Sequence, residues 1–347
     1  MRAVVWHGVR DVRVDEVPPL PAPDPGQVLV EVVRCGICGS DRRSYERAPA
    51  APSRGPHPLT GHQGPVILGH EVVGRIVARG EGVPTALAVG RRVAVDPTWS
   101  CGHCPACRRG QCQLCEVAAC SGVTANGGLA SHMIAPCDGL ALVPDHVPDD
   151  EAALAEPLAV AVHAVSRASL QAADQVLVAG FGPIGALVAL TARTLGASRV
   201  MIIEPSADRR RSAADLGFVD VVDPTAPEPD GPLPRGWADA AFDCAGAPGV
   251  LEQCIRGTRP GGRIVVPAVS SGSTPVPMGQ LVLGERTLMG SLGYNGDVAR
   301  AVSLIASRAV DVRPLISTVL PLTAVPSWFA APDTGGSGLK VLVDPAG

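Results

Sequence analysis

Cys38, His70 and Glu71 offer a thiolate, an imidazole and a carboxylate. These ligand types hold a zinc ion while leaving one coordination position open for a substrate. They sit in Cys35-Gly36-Ile37-Cys38-Gly39-Ser40-Asp41 and in Gly69-His70-Glu71. Alone, the three would say little, because isolated Cys and His in an apolar chain are usually ordinary buried residues. A second cluster is stronger: Cys101, Cys104 and Cys107 are followed, after seven residues, by Cys115. That spacing wraps one tetrahedral ion in four thiolates, and a site closed in this way staples a lobe rather than doing chemistry. Cys112 lies inside the lobe without fitting the spacing. With Cys35, Cys120, Cys137, Cys244 and Cys254 it reads as a spare thiol.

A third constellation begins at Asp174. The apolar run Val176-Leu177-Val178-Ala179 leads into Gly180-Phe181-Gly182-Pro183-Ile184-Gly185 and then into the helical pattern Ala186 to Leu195. A buried strand running into Gly-x-Gly-x-x-Gly and a helix is the context that dinucleotide binding requires. Gly180 and Gly182, lacking Cβ, let the backbone approach a pyrophosphate that faces the helix N-terminus. The next strand, Val200 to Ile203, ends at Glu204, about 20 residues on, where a carboxylate accepts ribose hydroxyls and repels a 2′-phosphate. NAD is therefore favoured over NADP. Arg209, Arg210 and Arg211 qualify this, since an arginine such as Arg209 could take that phosphate; otherwise the three form a solvated helix face.

The elements that must position these residues fall into two kinds. Val28 to Val33, Val72 to Val77 and Arg92 to Val95 are short β-branched runs bounded by Gly and Pro, so the N-terminal third reads as β-rich. Between Tyr45 and Val66, Pro, Gly and His dominate, including His57-Pro58-Leu59-Thr60-Gly61; this is a long loop that either shapes a pocket or is an exposed insertion. From Asp149 an Ala-rich helix is expected through Glu156 to about Ser169. Strands Ala240 to Ala245, Gly262 to Val266 and Thr287 to Leu292 then continue an alternating pattern, which makes a parallel, doubly wound sheet. Pro224 to Gly236 is a surface loop within it, and a helix near Asp297 to Ser307 and a last strand Lys340 to Val343 form a tail expected to rejoin the first domain. The domains are thus 1–152 with 298–347, and 153–297, with the cysteine lobe at about 98–118.

Composition narrows the class. The 347 residues are 46% hydrophobic but only 3% aromatic, so the cores must be built from Ala, Val, Leu and Ile. A net charge of -4 argues against a nucleic-acid partner, which calls for a basic stripe. Arg10, Asp11 and Arg13 interrupt any apolar leader, and the longest uncharged run, Val176 to Ala192, carries Gly180, Gly182, Pro183 and Gly185 and so is no membrane span. Eleven cysteines in such a chain point to metal sites and free thiols, and a cytoplasmic protein is expected. Lys340 is the one lysine among many arginines and alanines, the mark of a GC-rich bacterial genome.

Over essentially its whole length the sequence resembles the zinc-dependent medium-chain alcohol dehydrogenases, in the polyol, threonine and 2,3-butanediol dehydrogenase branch. The resemblance rests on Gly36-Ile37-Cys38-Gly39-Ser40-Asp41, Gly69-His70-Glu71, the four-cysteine lobe, Glu156-Pro157-Leu158, the Gly180 to Gly185 fingerprint, and, toward the butanediol enzymes, His57 to Gly61 and Glu204-Pro205-Ser206. It implies an α/β chain: a GroES-like β-rich catalytic domain plus a Rossmann nucleotide-binding domain. It implies two zinc ions. Cys38, His70, Glu71 and Glu156 would serve the catalytic one, Glu71 as ligand or supporting carboxylate and Glu156 as ligand or holder of its water. Cys101, Cys104, Cys107 and Cys115 would bind the structural one. Ser40 would touch the substrate oxygen and start the proton path, and Asp41 would orient a ligand. Gly180, Gly182, Pro183, Ile184, Gly185, Glu204 and Arg209 would bind the cofactor.

The implied reaction is the interconversion of a secondary alcohol (a vicinal diol, polyol, amino alcohol or cyclitol) and its ketone by hydride transfer with NAD(H), in a homodimer or homotetramer. One position departs from the branch: Arg43 stands where a proton-relaying histidine is common. A guanidinium cannot relay by titrating, so water or a ribose hydroxyl completes the path, another group such as Ser44 or Tyr45 replaces it, or the substrate brings a negative charge for Arg42 or Arg43. The alternatives to the dehydrogenase reading are a relative with an altered net reaction, such as an NADP-dependent reductase of a specialised biosynthetic intermediate, and a non-catalytic nucleotide-binding protein.

Overall fold

Val28, Val30 and Val32 alternate inward along the strand Gln27–Gly36 while Glu31 points out, the period-2 pattern of a strand with one face on a core. This strand is the axis of the first unit. It pairs antiparallel with Glu71–Arg79 and with His132–Pro136, and its end pairs with Lys340–Asp344. Around it forms a seven-stranded sheet, and Arg2–Gly8 with Asp11–Glu16 and Val66–Ile67 forms a smaller one. The register sets Gly36 opposite both Glu71 and Leu342, so three distant stretches of sequence meet at one strand end.

The computed structural model describes residues 1–47, 55–226, 234–269, 272–331 and 338–347. Within them the chain forms two units: Met1–Glu156 with 298–331 and Lys340–Gly347, and Pro157–Asp297 with 338–339. The core of the first is chiefly valine, leucine and isoleucine, with Phe329 its only fully buried aromatic side chain among the described residues. Part of the Tyr45 to Val66 loop and part of the Pro224 to Gly236 loop lie outside the described residues.

The second unit is a six-stranded parallel sheet in the order Asp220–Val222, Arg199–Ile203, Gln175–Ala179, Ala238–Asp243, Thr258–Val266, Thr287–Gly290. In sequence terms this is 3-2-1-4-5-6, the doubly wound order whose switch point lies beside the first strand. The expected fold class, a β-rich unit plus a doubly wound parallel sheet, is the one observed.

One expected element is different. The single helix from Asp149 to Ser169 is two, Asp149–Ala152 and Ala155–Arg167. Pro157 has no N–H to give Ala153, so the helix restarts with Pro157 in its first turn, where no donor is needed. The restart places Glu156 in that first turn, buried. Among the described residues no helix is long and apolar enough to cross a membrane.

Candidate metal centre and nucleotide loop

Cys38 leaves the central strand in an extended conformation and caps the helix Gly39–Glu46. Its backbone N–H donates to Asp41 Oδ2 at 2.9 Å, closing the turn that aims the thiol. His70 follows Gly69, whose φ of 94° and whose neighbours Cys35 and Leu129 leave no room for a side chain. One ligand atom each from Cys38, His70 and Glu71 lies within 4.8 Å of the others. His70, Glu71 and Asp41 are all buried, at 6%, 1% and 2% exposure.

Burial opposes a charge on His70, but the Asp41 carboxylate, Cys38 and Glu156 outweigh it and hold the imidazole's pKa well above its ordinary value. Its Nδ1 lies 3.6 Å from Asp41 Oδ1 and has no hydrogen-bond partner; its Nε2 is 3.5 Å from Ser40 Oγ. Buried nitrogens rarely stay unsatisfied, and an anionic, soft-and-hard donor set around one calls for a cation. The residues therefore fit a zinc ion. Glu156 is not in the 4.8 Å set, though its charge acts on His70. Cys120 is near the same group: burial first, with Glu156, Asp96 and Asp41 adding, pushes its thiol up to about 12, against the pull of His70.

Lys340 was missed by sequence reasoning, which treated it as a mark of genome composition. Its ammonium lies against Glu71 Oε2, with 2% and 1% of the two side chains exposed, and donates to Ile37 O at 2.9 Å. Burial works to lower its pKa, yet Glu71 and Cys38 raise it on balance. Gly36 makes the space, since a Cβ there would run into the Glu71 carboxylate and the Lys340 side chain. A single lysine in a chain whose other basic residues are arginines was the available signal: a compact ammonium fits where a planar fork does not.

Arg42, considered above as an anion receptor, is occupied otherwise. It stacks over Trp328 at 4.4 Å and donates to Trp328 O and Ala331 O at 3.1 Å each. Tyr45 packs on Phe329 with ring centroids 5.5 Å apart.

In the lobe, Cys101, Cys104, Cys107 and Cys115 also gather within 4.8 Å. Backbone donors point at the sulfurs: Cys104 N to Cys101 Sγ at 3.3 Å, Cys101 N to Cys115 Sγ at 3.4 Å and Cys107 N to Cys104 Sγ at 3.5 Å. The Cys107 N–H holds the Cys104 thiol down to about 6, whereas burial pushes Cys107 up to about 12. Four sulfurs ringed by amide donors fit a zinc ion in a closed site. Cys112 packs beside the quartet without joining it.

In the second unit, Gly180 turns at φ 92° against Ala245, and a Cβ on Gly185 would strike the Gly180 carbonyl. Pro183 opens the helix Pro183–Thr194 behind Gly182, with Ile184 in its first turn, so unpaired N–H groups face the loop. Glu204 is 3% exposed and does more than await a ribose. Its Oε2 accepts from Phe181 N at 2.7 Å and its Oε1 from Ser206 N at 2.9 Å, tying the second strand to the loop. The three arginines do not form one solvated face. Arg210 donates to Glu204 O and Pro205 O and pairs with Asp223 at 2.9 Å; Arg211 pairs with Asp208 at the surface. Arg209 leans toward Gly182, its Nε buried without a partner.

The alcohol dehydrogenase GroES-like domain family matches residues 24–145, and the zinc-binding dehydrogenase family matches 183–307. The chain is 33% identical to the (R,R)-butanediol dehydrogenase of Bacillus subtilis, over 99% of this chain and 100% of that one. It is 34% identical to the 2-dehydro-3-deoxy-L-galactonate 5-dehydrogenase of Pseudoalteromonas atlantica, over 93% of each. A zinc-binding dehydrogenase of Sinorhizobium meliloti bound to NADP has a similar structure, with a TM-score of 0.89, 31% identity and 99% of each chain covered.

Proposed function

Since this chain belongs to the zinc-dependent medium-chain alcohol dehydrogenases, oxidoreductases that interconvert alcohols and ketones, we propose that it acts on a secondary alcohol of the diol, polyol or cyclitol class with NAD(H). The convergence of Cys38, His70 and Glu71 on one buried point carries this reading. Cys38, His70 and Glu71 would hold the catalytic zinc, with Glu156 beside it, and Cys101, Cys104, Cys107 and Cys115 the structural one. When bound, zinc would supply Lewis-acid polarisation of the alcohol or ketone oxygen, and a nicotinamide would supply the hydride-transfer chemistry.

The chain's own residues do the rest. The Ser40 hydroxyl, 3.5 Å from His70 Nε2, takes the substrate proton and passes it on through water, because Arg43 cannot titrate. Asp41 fixes the turn at Cys38 and faces His70, orienting both. Gly180, Gly182, Pro183, Ile184 and Gly185 receive the pyrophosphate at the start of their helix. The buried Glu204 carboxylate favours NAD.

A second reading, NADP, has a specific observation behind it: the Arg209 guanidinium lies beside Gly182, its Nε buried without a hydrogen-bond partner, in keeping with the NADP bound to the Sinorhizobium protein. A homodimer or homotetramer suits the edge strand Thr287–Gly290, whose outer side is unpaired among the described residues, and the exposed Met278, Val282, Leu283 and Leu292 nearby in sequence. Eleven free cysteines suit a reducing, cytoplasmic setting.

The test is absorbance at the NADH band with NAD or NADP and a panel of diols, polyols, threonine and cyclitols, each with and without a zinc chelator. Chelator-sensitive turnover with NAD on one class supports the reading. Turnover that survives zinc removal, or none on any class from zinc-loaded protein, overturns it.

A further inference from the structure

Cys38 caps the helix Gly39–Glu46 and Ser40 lies in its first turn, so whatever fixes that helix fixes the thiol and the hydroxyl. The helix cannot hold itself. Its eight residues fall short of the roughly 12–15 at which an isolated helix becomes even marginally stable in water. In Gly-Ser-Asp-Arg-Arg-Ser-Tyr-Glu the one buried residue is Asp41, whose carboxylate is already spent on Cys38 N and faces His70. Tyr45, against Phe329, is its one apolar footing on the core.

Other parts of the unit supply the hold. The C-terminal end is tied to the first hairpin: the Trp6 indole N–H donates to Ser44 O at 2.9 Å, and Arg10 N donates to Tyr45 O at 2.7 Å. Bonds at one end leave a short rod able to pivot about it. Arg42, the residue after Asp41, removes that freedom. Its Nη1 donates to Ala331 O and its Nη2 to Trp328 O, 289 and 286 positions away in sequence, while its guanidinium lies over the Trp328 ring at 4.4 Å. These two carbonyls belong to the last turn and the cap of the helix Val325–Ala330, where no intrahelical N–H reaches them. Trp328 packs in turn edge-on against Phe329 at 5.2 Å, and Phe329 is buried in the core. A planar fork with two acceptors and a stacked face fixes a direction, which a single bond does not.

We propose that Arg42 is a positioning residue: by clamping the helix Gly39–Glu46 to residues 328–331, it sets where Cys38 Sγ and Ser40 Oγ stand relative to His70. The inference rests on the reading of Cys38 as a zinc ligand and of Ser40 as the proton carrier. Placement matters there, because a displacement of about 1 Å in a reacting geometry can cost about 100-fold in rate.

Cobalt exchanged for zinc in the full chain tests it, because thiolate-to-cobalt absorption reports ligand geometry without any turnover. The part of that band which Cys38→Ser removes belongs to the Cys38 set. Arg42→Leu fills the space and lacks the fork. It is expected to shift or weaken that part of the band and to speed release of one zinc ion per chain to a chelator by roughly tenfold or more, while the cysteine quartet keeps its ion. It should also lower kcat by about 10- to 100-fold with the KM for NAD unchanged. Arg42→Lys, which can stack on Trp328 but cannot fork, should fall between. Trp328→Leu should reproduce Arg42→Leu, with the double variant adding little to either. A half-buried arginine that only stabilises the fold would lower the melting temperature and leave band, release rate and kcat alone; that result overturns the proposal, as does a Trp328→Leu protein with the wild-type band. Should Arg42→Leu fail to fold, Arg42→Lys and Trp328→Leu carry the same readouts. A chain that turns over no alcohol refutes the functional reading and leaves the band and the release rate to decide this one, whereas a chain that binds no metal at Cys38 refutes both.

Discussion

The Lys340 ammonium and the Glu71 carboxylate face each other in the interior, Lys340 with 2% and Glu71 with 1% of its side chain exposed. Lys340 comes from the last strand and Glu71 from the strand that follows His70, and both flank Gly36 on the central strand. Lys340 thereby sets the charge that Glu71 presents beside Cys38 and His70. It offsets the charge of one carboxylate of the candidate metal set and would not compete for a metal there, because an ammonium has donors only.

Removing one member of such a pair leaves a buried charge alone. Lys340→Met is expected to cost about 3–5 kcal/mol of stability, read as a lowered urea midpoint with an unchanged slope. Glu71→Gln added to it should recover part of the loss, and strict additivity of the two would show that they do not interact.

Gly36→Ala should damage the centre without altering any ligand. The added Cβ meets Glu71 and Lys340, so the expected result is loss of tightly held zinc from the catalytic set while the cysteine quartet keeps its ion. Elemental analysis should fall from two zinc ions per chain to one.

The two sets should separate cleanly under mutation. Cys38→Ser is expected to abolish turnover with little effect on folding, and Cys104→Ser to lower thermal stability by releasing the ion that staples the lobe. A Cys104→Ser protein with unaltered melting temperature and two zinc ions would contradict the assignment.

Proton and metal compete at His70. With its pKa raised well above the ordinary imidazole value in the metal-free fold, the protonated ring stabilises that fold at low pH, and this contribution is lost as pH rises through the raised pKa. Zinc needs the neutral ring, so its affinity should rise with pH across the same window and chelators should strip it faster on the acid side. Competition titrations at several pH values would measure the slope, and a flat profile would exclude the coupling.

Glu204→Ala should raise the KM for NAD by about tenfold, the value of roughly one hydrogen bond to a charged group, and should loosen the loop by depriving Phe181 N of its acceptor. Arg209→Ala should leave NAD turnover nearly intact and reduce whatever NADP turnover exists. The ratio of kcat/KM for the two cofactors reads both.

Much of this protein was legible in the chain itself, because the informative features are local. Cys101 to Cys115 fold into one turn-rich lobe, Gly180 to Gly185 needs only its own strand and helix, and β-branched alternation marks the central strand without reference to partners. Cys38, His70 and Glu71 were legible as ligand types. Their meeting depended on the pairing of Gln27–Gly36 with Glu71–Arg79, a contact far apart in sequence.

The tertiary structure alone decided what spacing cannot carry. Only strand register brings Lys340 to a carboxylate 269 positions earlier in the chain. Only packing converts Arg42 into a strut over Trp328, binds Glu204 to the glycine loop and leaves one nitrogen of His62 buried and unsatisfied. Sequence determined which groups were available and the folds that could hold them. Burial and long-range pairing determined which of those groups are charged, satisfied or waiting for a partner, since that depends on neighbours the local chain does not supply.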